Sequence, residues 1–254
     1  MHTNLNLRQA FLLTTMSWVA VAAVGALPFA FSELDLSVSD AFFESMSGIT
    51  TTGSTVIVGL DFAPPGILLW RALLQWLGGI GIIVMALAIL PMLSVGGMQL
   101  FQTEAGDTPD KVLHRAAQLA GGIFAIYLLL TAICALALWL VGLSGFDAIT
   151  HSMTTIATGG YSTKDASIGH FRNQAAEWII VAGMIIGSLP FVYYLRAVRG
   201  DLRPIVSDSQ VRWFLAVVVL SVASITAWIW LARELRPRDA VSYTRLTLAH
   251  AARH

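Results

Sequence analysis

The chain has 254 residues, 56% hydrophobic and 12% charged, with a mean hydropathy of +0.73. A soluble domain carries about 25% charged residues, so the solvent that these values describe is the lipid bilayer. Lys and Arg balance Asp and Glu at 15 each, which leaves no global field for nucleic acid or an acidic partner, and the lone cysteine, Cys134, cannot form an intramolecular disulfide and suits a small buried side chain.

In chain order, Met1 to Arg8 runs into an apolar stretch of spanning length, longer than the apolar core of a cleaved signal, which predicts a retained first helix. A spanning helix takes roughly 20 mostly apolar residues. Five stretches meet that requirement: 9–31, 66–93, 116–143, 175–196 and 211–232. Residues 31–65 hold Glu33, Asp35, Asp40, Glu44 and Asp61 but no Lys or Arg, which places them outside. Arg8, Lys111, Arg115, Arg196, Arg199, Arg203 and Arg212 fall on the opposite, cytoplasmic side with the N-terminus, and Lys164 and Arg172 are minor exceptions. Beyond residue 232 the character changes to Arg233-Glu234-Leu235-Arg236-Pro237-Arg238-Asp239, and no glycine follows Gly200. The tail has the look of a truncation or a shifted frame.

Two stretches between the spans copy each other without a gap. Asp40 to Gly53 aligns on Asp147 to Gly160, with identity at Asp40/Asp147, Ala41/Ala148, Ser45/Ser152, Met46/Met153, Ile49/Ile156, Thr51/Thr158 and Gly53/Gly160. Each copy offers about ten residues of helical character before a Thr/Gly loop, too short to cross a bilayer but right for a re-entrant half-helix. The expected fold is therefore an all-α membrane protein of repeated helix, half-helix, helix units. Residues 1–95 form a first repeat, 96–200 a second, 201–232 the first helix of an incomplete third, and 233–254 an atypical tail.

Irregular backbone at membrane depth survives only when buried in protein or lining a wet cavity. Backbone carbonyls are hard oxygen ligands that can replace the water shell of an alkali cation. Thr51-Thr52-Gly53-Ser54 and Thr158-Gly159-Gly160-Tyr161 have that chemistry: Thr is stiff and carries a hydroxyl, and Gly adopts the backbone angles that keep successive carbonyls on one axis. Asp40 and Asp147 sit where an N-cap belongs, which would point the carbonyl end of each half-helix at a cation.

Glu44 and His151 occupy equivalent repeat positions but differ in charge, which favours packing or bonding near an outer vestibule over ion coordination. Arg71 and Gln75, one turn apart, are open between pairing with loop backbone and snorkelling toward the interface. Gly78, Gly79 and Gly81 suit close backbone approach, while Gly96-Gly97 suits a turn. Trp18, Trp70, Trp139, Trp178 and Trp213 lie near span ends as interfacial anchors or packing residues. No His/Asp/Glu set with metal spacing and no Ser/His/Asp set points to an enzyme or a bound cofactor.

Over residues 7–232 the chain resembles the Trk/Ktr/HKT superfamily of potassium transporters, and its bacterial Trk-type uptake membrane subunits in particular. The resemblance rests on Phe11-Leu12-Leu13-Thr14, Gly25-Ala26-Leu27-Pro28-Phe29, the segment Asp40 to Thr55, Leu69 through Gly81, Gly96-Gly97-Met98-Gln99-Leu100-Phe101, and Met153 through Thr163. It implies a pore of four helix, half-helix, helix repeats, each giving one filter strand with a central glycine, here Gly53 and Gly160. It further implies potassium as the transported substrate, a bacterial inner-membrane location, a homodimer among membrane lipids and a cytosolic nucleotide-binding regulatory subunit. Gly53 matches the potassium-selective type, in contrast to members with Ser there. Only two of the four repeats are present, so the alternative to an uptake pore is a membrane assembly protein without a pathway or an inactive truncated product. Channel-like movement and proton- or sodium-coupled movement both fit.

Overall fold

The computed structural model describes residues 7–93, 109–203 and 207–233. The connection containing Gly96-Gly97, the side chains of Lys111 and Arg115, and residues 234–254 of the tail lie outside the described residues. All regular structure among the described residues is helical: α1 (Leu7–Gly25), α2 (Leu27–Ala30), α3 (Val38–Ile49), α4 (Pro65–Leu93), α5 (Pro109–Leu140), α6 (Gly145–Ile156), α7 (Gln174–Ser188), α8 (Phe191–Val198) and α9 (Ser209–Arg233). Pro65 and Pro109 open their helices at the position where a missing N–H costs nothing. Asn173 caps α7 by accepting from the amides of Ala175 and Ala176, and its Nδ2 donates to Val141 O at the end of α5.

Among the described residues, four helical stretches are long and apolar enough to cross a membrane: Phe11–Ala30, Pro65–Ile83, Gln118–Leu140 and Ser209–Trp230. The fourth expected span, 175–196, is not one straight helix, because α7 and α8 meet at a 91° bend. Pro190 has no N–H for the Ile186 carbonyl, and Leu189 before it is extended, as a residue preceding proline prefers. The freed Ile186 oxygen accepts from Leu189 N–H and from the Tyr194 hydroxyl at 2.7 Å. Phe191 then turns in to stack near Tyr127 of α5.

Among the described residues, most buried apolar side chains fall into two clusters. One contains Ala22, Phe29, Ala41, Ile49 and Leu74, and the other Ile123, Tyr127, Leu138, Ala148, Ile156 and Ile180. Large apolar side chains such as Leu128, Leu129 and Ile133 stay exposed, while Glu44, Arg71, Gln75, Ser152 and Thr150 are fully buried. That inversion suits a bundle in lipid, where apolar burial supplies little drive and small or polar contacts join helices. Trp139, Trp178 and Trp213 are each more than half exposed, which suits interfacial anchors better than packing residues. Trp70 and Trp18 instead join helices, donating to Gly25 O and to Met85 Sδ.

The N-terminal ends of α3 and α6 lie on one side of the bundle with the loops that precede α4 and α7. Asp165 accepts from the amides of Gly59 and Leu60, and Lys164 Nζ lies 3.6 Å from Asp61. With Cys134 buried, cysteines introduced one at a time at Asp61 and Lys164 are expected to react with a membrane-impermeant thiol reagent from the same side. Labelling from opposite sides would break this arrangement.

Candidate functional site

Helices α3 and α6 begin and end alike. Ser37 and Ser144, not the expected Asp40 and Asp147, are the N-caps. Each serine Oγ accepts from the aspartate amide three residues on and donates to its carboxylate, so the acidic residues sit inside the first turn, where they still oppose the helix dipole. Burial alone would raise the Asp147 carboxyl. The Ser144 and Thr163 hydroxyls, with His151 and Lys164 nearby, outweigh it and hold the group below the usual carboxylate range.

At the other end, Thr51 N–H donates to Gly48 O and Thr52 N–H to Ser47 O, and Thr158 and Gly159 repeat this pattern on Thr155 O and Thr154 O. These are Schellman stops, whose left-handed residue is usually glycine. Here it is Thr in both copies, with φ of +56° at Thr51 and +53° at Thr158. A β-branched residue in that region costs on the order of 1–3 kcal/mol, a strain that collects at functional sites. Gly53 and Gly160 follow two residues later at φ +85° and +83°, while Thr52 and Gly159 are not left-handed. Thr51 and Thr158 line one cavity of about 400 Å³ with Ala157, Gly79, Tyr127 and Phe191.

Glycines let α4 and α7 press on these helix ends. A Cβ on Gly78 would meet Ile49 O at 1.9 Å, and one on Gly187 would meet Ile156 O at 2.7 Å, equivalent atoms of the two copies. Gly79 closes against Ala157 and the Tyr127 hydroxyl, whereas Gly81 has open space apart from Trp18, so the expected role of the glycine run holds for the first two.

Arg71 and Gln75 point inward and join the two loops. Arg71 Nε donates to Glu44 Oε1 at 2.7 Å, and its Nη1 donates to Ser162 O at 2.9 Å. Its guanidinium stacks 4.0 Å over the Tyr161 ring, which explains how Nη2 can be buried with no hydrogen-bond partner among the described residues. The Tyr161 hydroxyl donates back to Glu44 O and Ser54 O. Gln75 donates to Gly159 O and accepts from Tyr161 N–H. The Gly159 carbonyl thus faces Gln75, which corrects the expectation that every loop carbonyl faces a shared axis. Ser54 O likewise accepts from Ser47 Oγ at 2.6 Å.

Glu44 and His151 do the same task with different chemistry. Glu44 accepts from the Thr55 hydroxyl and Val56 N–H, and His151 Nε2 bonds Ser162 Oγ at 3.0 Å, with Nδ1 on Asp147 O. Thr55 and Ser162 are two residues past the paired glycines, so extending the aligned block by two hydroxyl positions would have exposed this support. Tyr161 hydrogen bonding across the repeats has no comparable sequence signal.

The comparisons with known proteins bear on this geometry. A family model described as TrkH, cation transport protein, matches residues 1–232. The chain belongs to the TrkH cation transport family. A relative from Halomonas elongata, the Trk system potassium uptake protein TrkI, is 45% identical over 87% of this chain and 45% of its own length. The Trk system potassium uptake protein TrkH of Escherichia coli strain K12 is 47% identical over 88% of this chain and 47% of its own. The crystal structure of the potassium transporter TrkH from Vibrio parahaemolyticus superposes with a TM-score of 0.85 at 40% identity, covering 96% of this chain and 50% of that one. The chain therefore spans about half the length of these TrkH-family relatives. Membership and the apolar helices make it a multi-pass membrane protein.

Gly78→Ala places a methyl on the Ile49 carbonyl, so α4 must move; the cost is about 1–3 kcal/mol, read as a lower melting temperature of the purified protein. Gly121→Ala, where no atom lies within 4 Å, is expected to leave it unchanged or slightly higher.

Proposed function

We propose that the chain carries the first half of a potassium uptake pore of the bacterial inner membrane. In this reading α3 and α6 are re-entrant half-helices entering from outside, and Thr51, Thr52, Gly53, Ser54, Thr158, Gly159, Gly160 and Tyr161 form two of four filter strands. The observation that carries it is the paired helix stop: two helices end in the same left-handed Thr, each followed by a left-handed glycine, and both Thr line one cavity. The carbonyl ends of α3 and α6 supply partial negative charge there, which favours a cation. Thr52 and Thr158 are exposed. The remaining strands come from the length that the relatives have beyond the match, because two strands alone leave a cation half-dehydrated without replacement ligands. The repeats 1–95 and 96–200, the lone helix α9 as the start of a third, a homodimer and a cytosolic nucleotide-binding regulatory subunit belong to the same reading.

Potassium and sodium uptake in an uptake-deficient bacterial strain tests it. The chain co-expressed with the unmatched half of the Vibrio parahaemolyticus TrkH is expected to restore potassium uptake, and no uptake from that pair, with both pieces in the membrane, would sink the proposal. Gly53→Ser and Gly160→Ser put a Cβ at positive φ and are expected to lower the potassium-to-sodium ratio about tenfold, roughly 1.4 kcal/mol of lost discrimination. An unchanged ratio in both variants would remove the loops as the selectivity element.

A further inference from the structure

We propose that Gln75 is a selectivity-positioning residue, a side chain of the first repeat that sets the backbone of the second loop on both sides of Gly160. The inference rests on the filter reading above and adds the residue that aims one of its carbonyls. Gln75 is fully buried on α4, and both ends of its amide are used by the second loop: Nε2 donates to Gly159 O at 2.8 Å, and Oε1 accepts from Tyr161 N–H at 3.0 Å. Only one orientation of the amide satisfies both neighbours. The two bonded groups belong to the peptide units before and after Gly160. All peptide bonds among the described residues are trans, so a Tyr161 N–H aimed at Gln75 forces Gly160 C=O to point the opposite way, off α4. Gln75 thereby sets the direction of the carbonyl that the filter reading needs.

The amide also fills the space over Gly159, where a Cβ would lie 2.4 Å from Gln75 Cδ. Thr52 holds the equivalent position in the first copy and is exposed, and the first loop rests instead on Ser47 and Tyr161. The glycine at 159 is therefore matched to Gln75, not repeated by the duplication. Glutamine is required because one planar group must both donate and accept; leucine does neither, and a glutamate carboxylate only accepts. A protonated glutamate does both. The charged or titratable groups of the surrounding network are Glu44 on α3, Arg71 on α4, and His151 and Tyr161 on α6 and its loop.

The test compares Gln75→Leu and Gln75→Glu with the unmodified chain in the uptake assay above, across a pH series, with amide hydrogen exchange of the purified chain over residues 157–163. Expected for Gln75→Leu is faster exchange at Tyr161 and a potassium-to-sodium ratio lowered about tenfold, the scale of leaving buried backbone groups unpaired. Expected for Gln75→Glu is the same loss at neutral pH, with recovery as pH falls and the carboxyl protonates, while the unmodified chain changes little over that range. Potassium preference in the unmodified chain together with unchanged ratios in both variants would overturn the inference, even with faster exchange, and leave the filter reading standing. No potassium preference in the unmodified chain would remove both.

Discussion

The structure depends on how two short helices stop. The last carbonyls of α3 and α6 have no partner in their own helix, and a bundle surrounded by lipid offers no bulk water to supply one. Both ends are closed by a tight turn in which a threonine takes the left-handed residue, Thr51 in one and Thr158 in the other. Glycine would do this without strain. Holding threonine there twice, at a few kcal/mol in total, needs surrounding structure that over-determines the turn. That structure is present: α4 and α7 lie against the helix ends through Gly78 and Gly187, so the turns cannot unwind without moving a long helix.

The second requirement is to keep the loops beyond the turns in register with each other. The buried Arg71–Glu44 pair is the centre of that connection, although a buried ion pair by itself rarely stabilises a fold, because desolvation offsets its attraction. Its value here is positional. Glu44 is fixed by Thr55 and Val56 of its own loop, and Arg71 passes the constraint to Ser162 O and the Tyr161 ring of the other. Tyr161 returns it to Glu44 O and Ser54 O. Lysine in place of Arg71 would keep the charge and lose both the fork and the stacking that join three groups at once.

Much of this was legible in the sequence because it is local or repeated. The duplicated block fixed attention on Thr51, Gly53, Thr158 and Gly160, and the apolar stretches located the long helices. What escaped is long-range or depends on one backbone atom. The stretch 175–196 reads as one span in the sequence, and the 91° turn at its proline depends on a route for the Ile186 carbonyl, which Tyr194 supplies. Ser37 and Ser144 lie three residues before the aspartates that opened the aligned block, so the caps fell outside it. For Arg71 and Gln75 the helix position alone allowed both an inward and an interfacial course. The choice was decided by Glu44, Gly159 and Ser162, up to 91 residues away in the chain.

The two copies share a backbone and differ in what holds it. Glu44 is replaced by His151, Thr52 by Gly159 and Ser54 by Tyr161, yet the helix stops and the glycine angles agree within a few degrees. The duplicated feature is therefore the path of the main chain, and the supporting side chains have diverged around it. Equivalent backbone is thus held by unlike groups: the first loop leans on Glu44 and hydroxyls, the second on the Gln75 amide, the Arg71 guanidinium and the His151 imidazole. On the filter reading proposed above, a carbonyl ring built this way would keep its geometry while each strand yielded differently to strain. On that reading the difference arises from side chains outside the filter strands, so the loop sequences alone would not specify how the site discriminates between cations.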